Sequence, residues 1–187
     1  MINRELQKRI LSSIILLPLA FYFIIAGSFY LIFFTIICFL VSIYEWNKMV
    51  KKKKFKFLGS LFLIISFYTF YEISVGYFWI YVLLVCVSTD IGGYFFGKLF
   101  KGPKLTKISP NKTYSGMIGG YFLSLISLSF FMNWINHTVD VEWFIVTIFI
   151  STASQIGDII ISYFKRLSKV KDTGKIIPGH GGLLDRI

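Results

Sequence analysis

The stretch that decides the fold is Ser154-Gln-Ile-Gly-Asp-Ile-Ile-Ile-Ser-Tyr-Phe-Lys-Arg166, the end of an apolar run long enough to cross a membrane. Its carboxylate, Asp158, is unfavourable there, because a charged Asp at the centre of a bilayer costs about 2.5–3.5 kcal/mol on insertion scales. We therefore expect Asp158 to belong to a functional site, since a purely structural helix has no need of such a residue.

The composition of the whole chain agrees with a membrane protein. Of its 187 residues, 56% are hydrophobic and 19% are aromatic, which is too apolar for an ordinary soluble domain. A membrane-spanning helix needs about 20 apolar residues. We predict an all-α fold, a polytopic membrane helix bundle within one integral membrane domain over residues 1–187. The six predicted transmembrane helices cover about 10–27, 28–46, 57–73, 77–97, 114–134 and 143–164.

The basic residues predict the orientation of these helices. With the N-terminus in the cytoplasm, all 20 basic residues fall on the cytoplasmic side, and the opposite loops carry only Glu72, Asp140 and Glu142. This is the positive-inside pattern, so both termini are predicted to be cytoplasmic and the net charge of +11 requires no nucleic acid. The basic residues are Arg4, Lys8, Arg9, Lys48, Lys51, Lys52, Lys53, Lys54, Lys56, Lys98, Lys101, Lys104, Lys107, Lys112, Lys165, Arg166, Lys169, Lys171, Lys175 and Arg186.

Polar residues of the sixth helix share one face. Ser151, Gln155, Asp158, Ser162 and Lys165 follow one another at intervals of 4, 3, 4 and 3 residues, which places them on one stripe of an α-helix. Lipid cannot solvate such a stripe, so it should face the bundle interior or a wet cavity. The alternative is that the Ser and Gln residues serve as polar contacts between helices.

A second intramembrane carboxylate, Asp90, lies in the fourth helix. Asp90 precedes Lys98 by eight residues and Asp158 precedes Lys165 by seven. At about 1.5 Å per residue, both carboxylates should be buried roughly 10–12 Å below the cytoplasmic surface. Two acids at one depth suit a divalent cation such as Mg²⁺, which prefers a few carboxylates together with substrate phosphates.

The start of the fifth helix is the third candidate segment. Its free N–H groups and the side chains of Ser109, Lys112, Thr113 and Ser115 can donate to phosphate oxygens. The alternative is an ordinary helix cap followed by a packing face of small residues, Gly116 and Gly120.

The tail after the sixth helix carries the most specific pattern, Lys165-Arg-Leu-Ser-Lys-Val-Lys-Asp-Thr-Gly-Lys-Ile-Ile-Pro-Gly-His-Gly-Gly-Leu-Leu-Asp-Arg-Ile187. It resembles the signature of the phosphatidate cytidylyltransferase (CDP-diacylglycerol synthase) family. The signature residues are Ser162, Lys165-Arg166, Lys171-Asp172, His180-Gly181-Gly182 and Asp185-Arg186. Gln155-Ile-Gly-Asp158, Asp90 with the following Gly-Tyr-Phe-Phe-Gly, and Ile108-Ser-Pro-Asn-Lys-Thr113 resemble further family motifs in the same order.

The resemblance implies an enzyme of phospholipid biosynthesis in a bacterial inner membrane, with its active site facing the cytoplasm. It would transfer a cytidylyl group from CTP to phosphatidic acid, giving CDP-diacylglycerol and pyrophosphate. The cofactor implied is Mg²⁺, with a monovalent cation such as K⁺ as an optional second ion; membrane lipids are partners and a homodimer is allowed. Residues 77–187 would form the catalytic part, and residues 1–76 would supply N-terminal helices.

The resemblance also implies roles for individual residues. The catalytic residues would be Asp158, Asp185, Lys165, Arg166 and His180. The metal ligands would be Asp158, Asp185 and Asp90. The substrate-binding residues would be Ser109, Lys112, Thr113, Ser162, Lys171, Asp172, Gly181, Gly182 and Arg186.

Three alternatives to this function remain open from the sequence. A CTP-dependent lipid kinase is the nearest enzymatic alternative, and an inactive truncated homologue is the second. An ion-coupled transporter explains Asp90 and Asp158 but leaves the tail unexplained. The family pattern continues past Asp185-Arg186 to another Asp and a final helix, whereas this sequence ends at Ile187. We therefore expect residues 168–187 to be mobile without ligands.

Overall fold

The computed structural model describes residues 4–74, 76, 78–106 and 108–186. Within these residues six helices are long and apolar enough to cross a membrane, and apart from two isolated bridges there is no β-structure. The helices are α1 (Arg4–Ala26), α2 (Ser28–Met49), α3 (Lys53–Ile73), α4 (Phe78–Phe100), α5 (Tyr114–Trp134) and α6 (Val141–Leu167), followed by a short 3₁₀ helix (Leu183–Asp185). The predicted all-α membrane fold is confirmed, and the chain is an integral membrane protein.

Several helices extend beyond the apolar stretches that predicted them. α3 begins at Lys53 rather than near 57, and α6 continues to Leu167 rather than ending near 164. Backbone hydrogen bonding does not stop where apolar residues stop, and polar flanks are tolerated beyond the hydrocarbon region. In α6 the cations Lys165 and Arg166 occupy the last turn, where they complement the negative end of the helix dipole.

The chain divides into two compact units, which we describe separately. The tail unit comprises Met1–Gly76 and Phe164–Ile187, and the central unit comprises Tyr77–Tyr163. The helix α6 begins in the central unit, and its last residues belong to the tail unit. The tail therefore belongs to the same compact unit as α1, α2 and α3. The assignment of all 187 residues to one domain stays a prediction.

The core of the central unit is apolar and is built from α4 and α5. Trp143 of α6 packs edge-on against Tyr81, with ring centroids 5.3 Å apart. The Tyr81 hydroxyl and the Thr147 hydroxyl of α6 are hydrogen-bonded, which satisfies both groups in a place where lipid offers no partner. The fully buried core residues are Tyr81, Val85, Leu128, Phe131 and Met132.

Glycines allow the backbones of α4 and α5 to approach one another closely. A Cβ atom at Gly92 would collide with the carbonyl oxygen of Gly119, and one at Gly116 would lie only 2.6 Å from the carbonyl oxygen of Gly93. Membrane helices often associate through small residues in this way, because no hydrophobic force drives them together inside lipid. The packing face predicted for Gly116 and Gly120 is therefore confirmed, and its partner is α4.

In the tail unit, Trp46 joins the end of α2 to the start of α3. Its indole N–H lies 3.2 Å from the backbone oxygens of both Phe55 and Lys56, and its ring packs against Phe164 at 4.9 Å. Gly59 leaves room for the indole, since a Cβ atom there would overlap it. This anchored helix pair places the neighbouring residue, Glu45, for the contacts described below.

We predict that Gly92→Ala destabilises the central unit by about 1–3 kcal/mol, because the added methyl group overpacks the α4–α5 contact. Gly157→Ala is the matched control, since a Cβ atom there meets no atom within 4 Å; it should be neutral or gain up to about 1 kcal/mol from helix propensity. Thermal unfolding in mild detergent measures both. Equal melting temperatures for the two variants would contradict the close approach of these helices.

Candidate functional site

An ion pair in the central unit joins two of the predicted site residues. The Asp158 carboxylate on α6 accepts a hydrogen bond from Lys112 Nζ at 2.8 Å. Asp90 on α4 interacts electrostatically with both of them. The structure thus pairs Asp158 with Lys112, which the sequence analysis had selected on separate segments, and places Asp90 within electrostatic range of the pair.

The loop before α5 positions Lys112 by backbone hydrogen bonds. Leu105 N donates to Lys112 O at 2.8 Å, and Lys112 N donates to Ser109 O at 3.1 Å. Ser109 N in turn donates to Thr106 Oγ1 at 3.1 Å. The loop leaves α4 through Lys101 and Gly102, both with positive φ. Lys112 therefore projects from a folded turn, and Ser109 contributes backbone contacts to that turn.

Thr113 caps α5. Its side chain accepts a hydrogen bond from Gly116 N at 3.1 Å, and Tyr114 N donates to Pro103 O at 3.1 Å. The expectation that these first N–H groups are free for a phosphate is wrong for Tyr114 and Gly116, because the cap and the preceding loop already use them. The alternative interpretation, an ordinary N-cap, is confirmed for Thr113.

Both intramembrane carboxylates lie on the surface of the protein, and their depth in the membrane stays a prediction. Asp90 is exposed, and the Asp158 side chain is 61% exposed against 27% for Lys112. The interior positions of these helices are taken by small polar side chains instead. Thr89, next to Asp90, donates to the buried Ser151 Oγ at 2.9 Å. The acids therefore lie beside the helix contact and outside it.

The polar stripe of α6 has two parts with different roles. Ser151 and Gln155 form contacts between and along helices, with Gln155 Nε2 3.5 Å from Ser151 Oγ and Ser151 bonded to α4. Asp158 lies outside these contacts and meets Lys112 instead. Ser162 is half-buried one turn further on. The alternative of polar contacts between helices therefore holds for Ser151 and Gln155, but it does not account for Asp158.

In the tail unit, Asp185 is surrounded by donors. Its Oδ1 accepts from Lys165 Nζ at 2.8 Å, and its Oδ2 accepts from Thr173 N at 2.8 Å and Gly182 N at 3.1 Å. Burial alone would raise the pKa of the Asp185 carboxyl, but the hydrogen bonds from Lys165, Thr173 and Gly182 together hold that pKa below its usual value. Asp185 is therefore held as a carboxylate.

Glu45 is a residue that the sequence analysis missed. It lies near the end of α2, is 1% exposed, and accepts hydrogen bonds from the N–H groups of Leu183 and Leu184 at 3.1 and 3.0 Å. The argument applied to Asp158 would have found it, because Glu45 is also a carboxylate inside an apolar helix. In the sequence, Glu45 lies three residues before Lys48 near the end of α2, a position where charged residues are common.

His180, predicted to be catalytic, contacts α1. Ser12 Oγ lies 2.9 Å from His180 Nδ1, and Ser13 Oγ lies 3.4 Å from His180 Nε2. Burial, with further contributions from Arg186 and Arg9, lowers the pKa of the His180 ring. Because both ring nitrogens have partners within the protein, the structure gives His180 the geometry of a link between the tail and α1.

The remaining signature residues of the tail fall into two groups. Arg166, Lys171, Asp172 and Arg186 have exposed side chains, and Arg186 Nη2 also donates to His180 O at 3.0 Å. Gly181 adopts a positive φ of 92°, and Gly182 is buried against Glu45. The mobility expected for residues 168–187 stays a prediction. The contacts of Glu45, Asp185 and His180 nevertheless supply the tail with anchors that the sequence analysis did not foresee.

The donor sets differ in how well they fit Mg²⁺. Asp158 and Asp90 offer carboxylate oxygens that are exposed on the protein surface and interact electrostatically, which suits a cation that keeps several waters and shares phosphate ligands. Asp185 fits less well, since its oxygens are filled by Lys165, Thr173 and Gly182. Among the described residues, no three His, Cys, Asp or Glu side chains gather in a way that holds a metal by themselves.

Comparisons with known proteins agree with this set of motifs. The model of the cytidylyltransferase family matches residues 7–79 and 55–187. A Staphylococcus aureus (strain COL) protein named phosphatidate cytidylyltransferase is 41% identical over 150 residues, which cover 74% of this chain and 57% of that protein. A Rickettsia felis protein of the same name is 37% identical over 200 residues, covering 98% of this chain and 87% of that protein. No solved structure matches the chain.

The chain spans little more than half of the staphylococcal relatives. The alignment covers 57% of the S. aureus protein and also 57% of a Staphylococcus haemolyticus protein of the same name, which is 38% identical. Sequence similarity of this extent establishes kinship, whereas the activity of the whole relative has to be argued for this chain from its own residues.

We predict that acidification loosens the contact between the tail and α1. The folded state lowers the pKa of His180, so its neutral ring stabilises this contact above the unfolded pKa near 6.5, and that stability is lost as the pH falls through the lower, folded pKa. Hydrogen exchange of the segment 179–181, corrected for intrinsic rates, should rise about two- to tenfold as one hydrogen bond weakens.

His180→Asn is the matched control for this pH dependence. The variant lacks a titrating ring, so its corrected exchange should change little between pH 7.5 and pH 5.5. The pKa of the Asp185 carboxyl is held below its usual value by its hydrogen bonds, so this group stays ionised in that window. An equal pH response of the variant and the natural chain would assign the effect to another group.

Proposed function

Because the chain belongs to the cytidylyltransferase family, we propose that it transfers the cytidylyl group of CTP to phosphatidic acid, giving CDP-diacylglycerol and pyrophosphate. The family match confirms the resemblance inferred from the tail. The observation that carries the proposal is the ion pair of Asp158 on α6 with Lys112 of the loop before α5, within electrostatic range of Asp90 on α4. Such charges are unfavourable in lipid and suit a site for an ion and phosphate groups.

The proposed reaction is a substitution at the α-phosphorus of CTP. A phosphate oxygen of phosphatidic acid forms the new P–O bond, the bond between the α-phosphorus and the oxygen bridging to the β-phosphate breaks, and pyrophosphate leaves with that electron pair. The second pKa of a phosphomonoester is about 6. The attacking oxygen therefore carries its negative charge near neutral pH and needs no general base.

The central unit would hold the cation and part of the triphosphate. Mg²⁺, when bound, supplies neutralisation of the negative charge on the triphosphate and on the leaving pyrophosphate. Asp158 and Asp90 would provide carboxylate oxygens for it, because both are exposed on the protein surface and interact electrostatically. Lys112 pairs with Asp158 in the structure. With Asp158 holding the cation, the Lys112 ammonium would donate to a phosphate oxygen.

The tail would contribute cations for phosphate groups. Arg166 and Lys171 are exposed, and a guanidinium group binds phosphate oxygens in a bidentate manner. Lys165 is held by Asp185 at 2.8 Å, which fixes its ammonium in one position. The glycines of the His180-Gly181-Gly182 turn let the backbone pass close to carboxylates. These contacts make the tail a scaffold that presents cations in fixed places.

The orientation follows from the charges and is also part of the proposal. Lys51, Lys52, Lys53 and Lys54 are exposed at the start of α3, as expected for a cluster that remains in water. Under the positive-inside rule this end of α3 lies in the cytoplasm. CTP is a cytoplasmic polyanion and phosphatidic acid carries its phosphate at the membrane surface, so the proposed site faces the inner side of a bacterial plasma membrane.

We predict that Asp158→Asn lowers cytidylyl transfer by at least about tenfold, equal to about 1.4 kcal/mol of transition-state stabilisation. The amide keeps the shape of the side chain but loses the charge that binds a cation. Asp140→Asn, an exposed acid outside the motifs, is the control and should retain full activity. More than about a tenth of the natural rate in Asp158→Asn would refute the ligand role.

The assay distinguishes the proposed function from its alternatives. With phosphatidic acid, Mg²⁺ and CTP labelled at the α-phosphorus, cytidylyl transfer puts the label into lipid. With the label at the γ-phosphorus and a lipid alcohol such as diacylglycerol added as an acceptor, the label appears in pyrophosphate for cytidylyl transfer, whereas a kinase moves it to the lipid hydroxyl and releases CDP. Absence of lipid labelling from both substrates, with correctly folded protein, would reject both enzymatic functions.

We further predict that Arg166→Ala and Lys165→Ala each reduce transfer, with a loss of about 1.5–3 kcal/mol if the cation contacts a phosphate. Lys165→Ala should also speed hydrogen exchange near Thr173, because Asp185 loses its ion pair, whereas Arg166→Ala should not. Lys52→Ala, an exposed cation outside the signature, is the matched control. Unchanged activity in both signature variants would contradict phosphate binding by the tail.

A further inference from the structure

Glu45 makes a buried connection between α2 and the end of the tail. Its carboxylate accepts hydrogen bonds from Leu183 N at 3.1 Å, Leu184 N at 3.0 Å and the Thr173 hydroxyl at 3.1 Å. Glu45, Thr173 and Leu184 are all buried. An ionised carboxylate that is removed from water requires such donors. The three hydrogen bonds therefore account for the presence of Glu45 in an otherwise apolar segment of α2.

The surrounding backbone is shaped to receive this carboxylate. Cβ atoms at Gly174 and Gly182 would overlap the carboxylate oxygens of Glu45. Only glycine at these two positions lets the tail close around the side chain. Two tail glycines thus serve the contact with Glu45, which is 129 and 137 positions earlier in the chain. An incidental contact of Glu45 with the tail would not need glycine at both Gly174 and Gly182.

Thr173 links Glu45 to Asp185. The Thr173 hydroxyl lies 3.1 Å from Glu45 Oε2 and 3.0 Å from Asp185 Oδ2, and Thr173 N donates to Asp185 Oδ2 at 2.8 Å. A hydroxyl has one proton and donates to one carboxylate at a time, while the backbone N–H maintains the contact with Asp185. Asp185 in turn holds Lys165. The position of Lys165 therefore depends on contacts that begin at Glu45.

We propose that Glu45 is a positioning residue, which fixes the 3₁₀ helix Leu183–Asp185 and, through Thr173 and Asp185, the ammonium group of Lys165. Glu45 acts through these residues and makes no contact with a substrate itself. The consequence for catalysis rests on the proposed cytidylyl transfer, whereas the anchoring of the tail does not. The two parts are therefore tested by separate measurements.

The experiment compares Glu45→Gln and Glu45→Ala with the natural chain in detergent. Hydrogen exchange of Leu183 and Leu184 should speed up about tenfold or more in Glu45→Ala, because two buried N–H groups lose their acceptor. Glu45→Gln keeps one acceptor oxygen, so its effect should be smaller. Cytidylyl transfer per folded protein should fall about 10- to 100-fold in Glu45→Ala, as for other residues that orient a site, and Glu45→Gln should restore part of it.

Glu72→Ala is the matched control, since Glu72 is an exposed acid near the end of α3 in the same unit. It should change neither exchange of the tail nor transfer. Exchange of α4 and α5 in the central unit serves as the internal reference. If Glu45→Ala does not accumulate in folded form, Glu45→Gln and Thr173→Val provide the same comparison, because each removes only part of the hydrogen bonding.

The outcomes separate the two proposals. Unchanged exchange of Leu183 and Leu184 in the Glu45 variants overturns the anchoring. Faster exchange with unchanged transfer overturns the positioning role. Faster exchange throughout the chain, with no recovery in Glu45→Gln, overturns it as well, because Glu45 would then merely support the fold. If exchange responds as expected but the natural chain transfers no cytidylyl group, the proposed function fails and the anchoring stands.

Discussion

A carboxylate inside an apolar helix must receive its hydrogen-bond donors from the protein or from a solute, because lipid offers none. Glu45 and Asp158 meet that requirement in different ways, and Asp185 of the polar tail can be compared with them. Glu45 is enclosed and takes backbone N–H groups of the tail, and Asp185 is 6% exposed and takes Lys165. Asp158 is exposed on the protein surface, and its donor is the ammonium group of Lys112. The carboxylates of Glu45 and Asp185 accept hydrogen bonds from backbone and side-chain groups of the tail unit, whereas Asp158 is the most exposed of the three.

The membrane fold was predictable because it depends on local properties. The number of helices follows from the length of each apolar stretch and the charges that separate the stretches. The ends of α3 and α6 were less predictable, since a helix continues through Lys53 or Arg166 when its hydrogen bonding permits. The division into a tail unit and a central unit depends on contacts between distant segments, such as Glu45 with Leu184, that no periodic pattern reveals.

The candidate site was predictable in its residue types and less so in its geometry. The spacing of Asp90 and Asp158 from the helix ends predicts that they lie at equal depth, because depth along a helix is a property of each helix alone, and the shared site stays a prediction. The contact of Lys112 with Asp158 joins residues 46 positions apart, and sequence analysis treated Lys112 only as a phosphate donor. The exposure of the two acids on the protein surface could not be predicted from the sequence, because it depends on which residues fill the helix contact. Ser151 and Thr89 fill it here.

The signature in the tail is therefore two sets of residues with different physical tasks. His180, Gly182 and Asp185 make their contacts within the protein, with Ser12, Glu45 and Lys165. Arg166, Lys171 and Asp172 remain exposed. A polar tail of about 20 residues loses roughly 1–2 kcal/mol of backbone entropy for each residue it orders. The exposed cations can be held at defined positions only if stabilising contacts offset that loss of entropy. The set that contains His180 and Asp185 supplies such contacts. On this argument the contacts of the first set order the segment that carries the second set.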